Sequence, residues 1–234
     1  MCYYKIAILT PSLSIVNQCF ICNNNTQKLD AFKSICTGCT NLIKHPAYDC
    51  LRCGIELQSE HSVCGNCQKH PPKFSQVMYV CIYQSPIDKW VMALKFGKNI
   101  LMSRLFAELM QSLLDDIESD YCLMPVPLHI SRLRSRGYNQ AYEMAKELSK
   151  LTNRPLDTSL KRNKNTQMQA QLKLNQRAKN VSKAFSLKGK LVNKNIVLVD
   201  DVMTSGNTLK ECAKTLKRDG AKDVKIIVFA RKSF

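Results

Sequence analysis

Long apolar runs are what this sequence lacks most plainly. None approaches the roughly 20 residues that a membrane helix needs, which excludes a helical span. The apolar stretch from Ile6 to Val16 is broken by Thr10, Pro11, Ser12 and Ser14, follows a single Lys and precedes no convincing cleavage site. It does not read as a secretory leader, so a cytoplasmic chain is the expectation. Acidic residues are scarce as well. Against 35 Lys and Arg stand 18 Asp and Glu, giving a formal charge of +17 and a pI near 9.4. That balance argues against an acidic or neutral surface and for a polyanionic partner. A helix-turn-helix pattern is also missing, which weighs against a transcription regulator.

Cysteine, by contrast, is abundant. Eight of the 12 cysteines form four Cys-x-x-Cys pairs: Cys19/Cys22, Cys36/Cys39, Cys50/Cys53 and Cys64/Cys67. Each pair places two sulfurs on one tight turn, which is half of a tetrahedral zinc site. In a reducing compartment such pairs favour metal over disulfides. Eight thiolates holding two Zn²⁺ would lower the net charge only to about +13. The simplest pairing is sequential, with Cys19, Cys22, Cys36 and Cys39 on one ion and Cys50, Cys53, Cys64 and Cys67 on the other. A crossed pairing stays open. The segment has few large apolar residues, so metal would supply much of its folding free energy. Loss of Cys50 is then expected to unfold the amino-terminal unit and spare residues 74–234. His45, His61 and His70 read as surface residues, and Cys2, Cys81, Cys122 and Cys212 as unpaired.

The order of the chain suggests an extension over 1–18, a double zinc-ribbon domain over 19–70, a linker through Lys69, Pro71, Pro72 and Lys73, and a second domain over 74–234. Strands are expected at 76–83, 121–127 and 224–230. Helices are expected from Pro86 to about Phe96, from Leu101 to Leu114 and from about Gln140 to Leu151. Residues 128–195 carry sixteen Lys and Arg against three acids. Within them Arg132, Arg134 and Arg136 stand at alternate positions of an expected loop, a plausible anion clamp. The basic 161–180 segment reads as a mobile loop running into a short helix, and Lys161 and Lys164 as contacts for a single strand's phosphates. Tyr138, Tyr142 and Phe185 could stack on bases, although helical spacing favours core packing for at least two of them.

One stretch organises the rest. Ile196-Val197-Leu198-Val199 reads as a strand buried on both faces. Asp200 and Asp201 follow, then the small polar run Thr204-Ser205-Gly206-Asn207-Thr208, then a helical pattern of Leu209, Cys212, Ala213 and Leu216. Backbone N–H groups of such a loop, together with a helix N-terminus, make an anion site. Gly206 permits close approach, and the hydroxyls add donors. The carboxylates would repel phosphate and should face ribose hydroxyls or a Mg²⁺ held by a sugar phosphate.

This stretch resembles the phosphoribosyl-pyrophosphate (PRPP) motif of type I phosphoribosyltransferases. The ordered set around it narrows the resemblance to the ComF family of competence and DNA-utilisation proteins. That set comprises the four Cys pairs, Leu94-Lys95-Phe96, Pro125-Val126-Pro127-Leu128, Arg136-Gly137-Tyr138-Asn139-Gln140, Arg162, Gln169, Arg177, Asn180, Ala184-Phe185 and Ala230-Arg231. Where the family often has two threonines before the motif's glycine, this chain has Thr204-Ser205, a conservative change.

The resemblance implies an α/β fold: a type I phosphoribosyltransferase-like parallel-sheet domain behind a small zinc-ribbon domain. It implies that Asp200 and Asp201 face the ribose, that Thr204, Ser205, Gly206, Asn207 and Thr208 hold the 5′-phosphate, and that Lys95, Arg132, Arg134 and Arg136 lie toward the pyrophosphate or a DNA phosphate. Two structural zinc ions, Mg²⁺ with PRPP, single-stranded DNA and other DNA-uptake proteins are the implied ligands and partners. The implied role is natural transformation or the use of external DNA. No transferase reaction is assigned to the family. The residues identify no base or amine acceptor, so an active phosphoribosyltransferase stands as the alternative.

Overall fold

The computed structural model describes residues 18–24, 35–60, 63–97, 100–164 and 183–233. The extension at 1–17, His61 and most of the expected loop, including Gln169, Arg177 and Asn180, lie outside them. The chain divides into two compact units, Met1–Asn41 and Leu42–Phe234. The first contains the short helix α1 (Thr37–Thr40). The second begins with the Cys50–Cys67 region and its short helix α2 (Gly65–Lys69).

A parallel sheet organises the second unit. Its strands are β1 (Gln76–Ile82), β2 (Cys122–Pro125), β5 (Asn195–Met203) and β6 (Asp223–Arg231), in the order β1-β6-β5-β2. Every pairing between them is parallel. The central strand β5 is buried from Ile196 to Val199, as a strand covered on both faces must be. Side chains alternate along a strand. Ile196 and Leu198 join a core with Leu209, Cys212 and Leu216 of α7 (Asn207–Arg218). On the opposite side Phe229 of β6 stacks on Phe106 of α4 (Leu101–Met110), with ring centroids 3.6 Å apart.

The other helices are α3 (Ile87–Phe96), α5 (Ile130–Arg136) and α6 (Gln140–Thr152). The expected helix over 101–114 ends as α at Met110 and finishes as a 3₁₀ turn over Gln111–Leu114. Two expectations are corrected. Arg132, Arg134 and Arg136 lie on helix α5, not in a loop. Residues Leu160–Arg162 form β3, antiparallel to β4 (Phe185–Leu187), so the start of the expected mobile loop is a hairpin-like ribbon. The ribbon is held by Leu160 and Phe185, both buried in the core with α7.

The Cys50–Cys67 region packs on the β1 edge of the sheet. Gly54 has φ +63°, and a Cβ there would stand 2.8 Å from the Tyr79 ring. His45 stacks on the same ring at 4.4 Å, and the Ile82 N–H donates to the Lys44 carbonyl at 2.8 Å. This revises the expected consequence of losing Cys50. Cys50→Ser should lower the melting temperature of the whole Leu42–Phe234 unit, whereas Cys36→Ser should remove one bound metal and leave that melting transition in place. Calorimetric melts with metal analysis check this; equal destabilisation by both variants would contradict it.

Candidate functional site

Strand β5 delivers its two carboxylates to the sheet's C-terminal edge, where α/β folds bind ligands. As consecutive strand residues they start toward opposite faces. Asp201 is buried and pairs with Lys95 Nζ at 2.9 Å. Asp200 lies nearer α7, where its charge interacts with Arg162 and Cys212. Each carboxylate also accepts the next residue's N–H, from Asp201 at 2.9 Å and from Val202 at 2.8 Å. Desolvation, then the Asp201 charge, push the Asp200 carboxyl up to about 7, against the pull of Lys95. Two carboxylates at one sheet edge favour a cation or sugar hydroxyls beside them.

The loop that follows is shaped for an anion. Gly206 adopts the left-handed conformation at φ +72° and caps α7. A Cβ there would collide with the Met203 side chain. The N-cap residue Gly206 brings no side chain to the first turn of α7, and the first N–H groups of any helix have no carbonyl one turn back. The Ser205 hydroxyl is buried without a hydrogen-bond partner among the described residues. An unsatisfied buried hydroxyl costs about 1–3 kcal/mol, and a phosphate oxygen would satisfy it. The helix dipole and these donors together suit the 5′-phosphate of a sugar phosphate.

The cations are arranged differently from a three-arginine clamp. On helix α5, positions 132 and 136 share a face and 134 lies away from it. Arg132 and Arg136 are half-buried and Arg134 is exposed. Arg136 donates to Gln140 Oε1 at 3.0 Å and covers the Phe96 ring at 5.1 Å. Burial lowers the pKa of Arg132, helped by the charges of Arg162 and Arg136. Arg162, on β3, therefore joins this cluster and also reaches the Asp200 field. The alternate spacing of the arginines gave no hint of it, because the ribbon that carries it is closed by β4. Tyr138 is fixed by its hydroxyl, which donates to the Leu94 carbonyl, and Phe185 is core. Next to these groups lies a cavity of about 650 Å³ lined by Pro127, Leu133, Tyr138, Tyr142, Lys161 and Arg162 among others.

The eight paired cysteines gather into two groups in the sequential arrangement. In each, the sulfurs lie within 4.8 Å of one another. Four sulfurs about 2.3 Å from a tetrahedral zinc stand about 3.8 Å apart; Cys22 and Cys36 are 3.8 Å apart and Cys53 and Cys64 3.7 Å. The Cys36 N–H points at Cys19 Sγ at 3.3 Å, and the Cys64 N–H at Cys50 Sγ at 3.2 Å. Burial opposes ionisation of Cys50, but N–H groups of Cys64, Cys53 and Arg52 outweigh it and bring the thiol down to about 7. Cys19 falls to about 6 in the same way. Both groups could hold zinc. The remaining described cysteines, Cys81, Cys122 and Cys212, are buried in the sheet core.

Residues 100–233 match the phosphoribosyl transferase domain model. Along 92% of this chain and 96% of its own length, Competence protein F of Haemophilus influenzae is 33% identical. The chain belongs to the ComF family and carries a phosphoribosyl transferase domain. Other relatives agree: DNA utilization protein YhgH of Escherichia coli K12 is 29% identical over 84% of this chain and 90% of its own, and Competence protein ComFC of Streptococcus pneumoniae is 24% identical over 92% and 100%. In this ComF-family chain the sheet edge, the acidic pair and the glycine loop coincide at the C-terminal end of β5.

Two tests follow from this geometry. Gly206→Ala should cost roughly 1–2 kcal/mol through left-handed backbone strain, read by urea unfolding, and an unchanged midpoint would show the loop to be soft. Asp200 has a folded pKa above its unfolded value of about 3.9. The ligand-free fold therefore holds an extra proton between those values and loses stability as pH rises from about 4 to about 8. The melting temperature of Asp200→Asn relative to the parent should climb across that range; a constant difference would contradict the burial of this charge.

Proposed function

We propose that this ComF-family protein binds PRPP with Mg²⁺ at the 200–208 loop and handles single-stranded DNA during DNA uptake or use, on the cytoplasmic side, with two structural zinc ions. The observation that carries the PRPP part is the buried Ser205 hydroxyl, without a hydrogen-bond partner among the described residues, beside a helix start whose N-cap Gly206 offers no capping side chain. The 5′-phosphate lies on Thr204, Ser205, Gly206, Asn207 and Thr208, while Asp200 and Asp201 serve the ribose hydroxyls or the metal. Lys95, paired with Asp201 in the free protein, is released toward the pyrophosphate when a cation takes its place. Mg²⁺, where bound with PRPP, neutralises pyrophosphate charge.

The names of the relatives support a competence or DNA-utilisation role. Charge supports the single strand as ligand: the excess of Lys and Arg is concentrated in 128–195, and phosphate contacts from such a segment give affinity that falls with salt and ignores sequence. Among the described helices none is long and apolar enough to cross a membrane. Other DNA-uptake proteins are the expected partners.

A second reading, an active phosphoribosyltransferase, is favoured by one observation. The 650 Å³ cavity beside the arginine cluster is lined by Tyr138 and Tyr142 and has room for an acceptor. Its transition state, a ribosyl oxocarbenium with departing pyrophosphate, would be stabilised mainly by charge.

Calorimetry with Mg²⁺ and PRPP should show binding that Asp200→Ala combined with Asp201→Ala abolishes; unchanged affinity would remove the loop from the site. Anisotropy of a labelled single strand should fall with salt, and Lys161→Glu with Lys164→Glu should weaken binding and flatten the salt slope. Absence of binding at low salt would sink the DNA assignment. Acceptor-dependent pyrophosphate release at enzymic rates would favour the second reading.

A further inference from the structure

Among the described residues the fully buried cation lies outside the arginine cluster. Arg231, the last residue of β6, is 4% exposed. Among the described residues no carboxylate forms an ion pair with it, and its guanidinium is held by carbonyls. Nε donates to the Cys53 carbonyl at 3.0 Å. Nη1 donates to the carbonyls of Met203 at 3.1 Å, Thr204 at 2.6 Å and Lys232 at 2.6 Å. One of these acceptors belongs to a cysteine of the second group. Two belong to the end of β5 and the first residue of the phosphate loop.

We propose that Arg231 is a positioning residue that couples metal occupancy of the Cys50, Cys53, Cys64 and Cys67 group to anion binding at the 204–208 loop. The coupling rests on the reading of that loop as the PRPP site. A buried guanidinium without acceptors costs several kcal/mol, so the carbonyls around it must stay where they are for the fold to keep it. The Cys53 carbonyl is fixed by the knuckle turn, which four sulfurs around one ion lock in place. Four thiolates on one Zn²⁺ would also carry a formal charge of −2 and offset the Arg231 charge. When metal leaves, the turn relaxes, Nε loses its acceptor and the same planar group no longer holds Thr204. The backbone reinforces the link. Met203 and Arg231 are register partners, the Lys232 N–H donates to the Met203 carbonyl at 3.0 Å, and the Tyr83 N–H to the Arg231 carbonyl at 2.7 Å. Coupling between two ligands is reciprocal, so PRPP must retain the metal as much as the metal retains PRPP.

The test uses the full-length, zinc-loaded protein. Zinc release to a chromogenic chelator that ignores Mg²⁺ is timed with and without saturating Mg²⁺ and PRPP, and PRPP binding is measured by calorimetry on the same sample. A Cys36→Ser sample, holding metal only in the second group, assigns the two release phases. Expected is a several-fold slowing of release from the second group by PRPP, with the first group's rate unchanged. Arg231→Lys, which keeps the charge but not the fork, should lose this slowing and bind PRPP roughly tenfold more weakly, about 1.4 kcal/mol. Equal release rates in a protein that binds PRPP overturn the coupling and leave the PRPP site standing. No PRPP binding by the parent overturns the site reading itself, and the coupling with it. If Arg231→Lys fails to fold, the parent's two release rates still decide.

Discussion

A strand buried on both faces must end where its last polar groups can be satisfied, and the rest of this molecule follows from how β5 ends. Its neighbours β2 and β6 close it in, so Asp201 at its tip is buried and Asp200 half-buried without leaving the sheet. Lys95 comes from the end of α3 to one of them, and the field of Arg162 reaches the other from the β3–β4 ribbon. The chain then turns through a left-handed glycine, which offers no capping side chain, into the start of α7. Negative charge on the strand and positive charge on the helix end are thus a few residues apart. A ligand with hydroxyls or a bound cation at one end and a phosphate at the other matches that polarity.

Much of this was readable in the sequence because it is local. Four aliphatics in a row mark a doubly covered strand, and the acid-acid-then-small pattern marks the turn that follows. The helix after Gly206 announces itself through Leu209, Cys212, Ala213 and Leu216. What stayed hidden depends on partners distant in the chain. Three arginines at alternate positions look like a loop's clamp, yet His129 caps a helix there and Gly137 ends it, which sends Arg134 away from the other two. Leu160-Lys161-Arg162 has too short a pattern to read as a strand until Phe185 and its neighbours pair with it. Arg231 sits at the end of an apolar run and looks like a strand terminator; only the fold brings the Cys53 carbonyl to its guanidinium.

The cysteine spacing predicted two tetrahedral groups, and the sulfurs gather in the sequential order. Spacing alone could not say where each group belongs. The second packs on Tyr79 of β1 and shares a compact unit with the sheet, so a metal held there would brace the phosphoribosyl transferase domain as well as its own turns. The basic charge has the same dual character. Part is drawn inward, at Lys95, Arg162 and Arg231, to answer buried negative groups and carbonyls, and part stands exposed, at Arg134, Lys161 and Lys188 among the described residues.

The central claim is that the end of β5 and the start of α7 form the PRPP site. Backbone amide shifts of isotope-labelled protein, followed as Mg²⁺ and PRPP are added, test it most directly. The account predicts the largest movements at residues 200–209, where phosphate oxygens meet the N–H groups of the loop and first helical turn. Shifts confined to other regions, or none at saturating ligand, would contradict it.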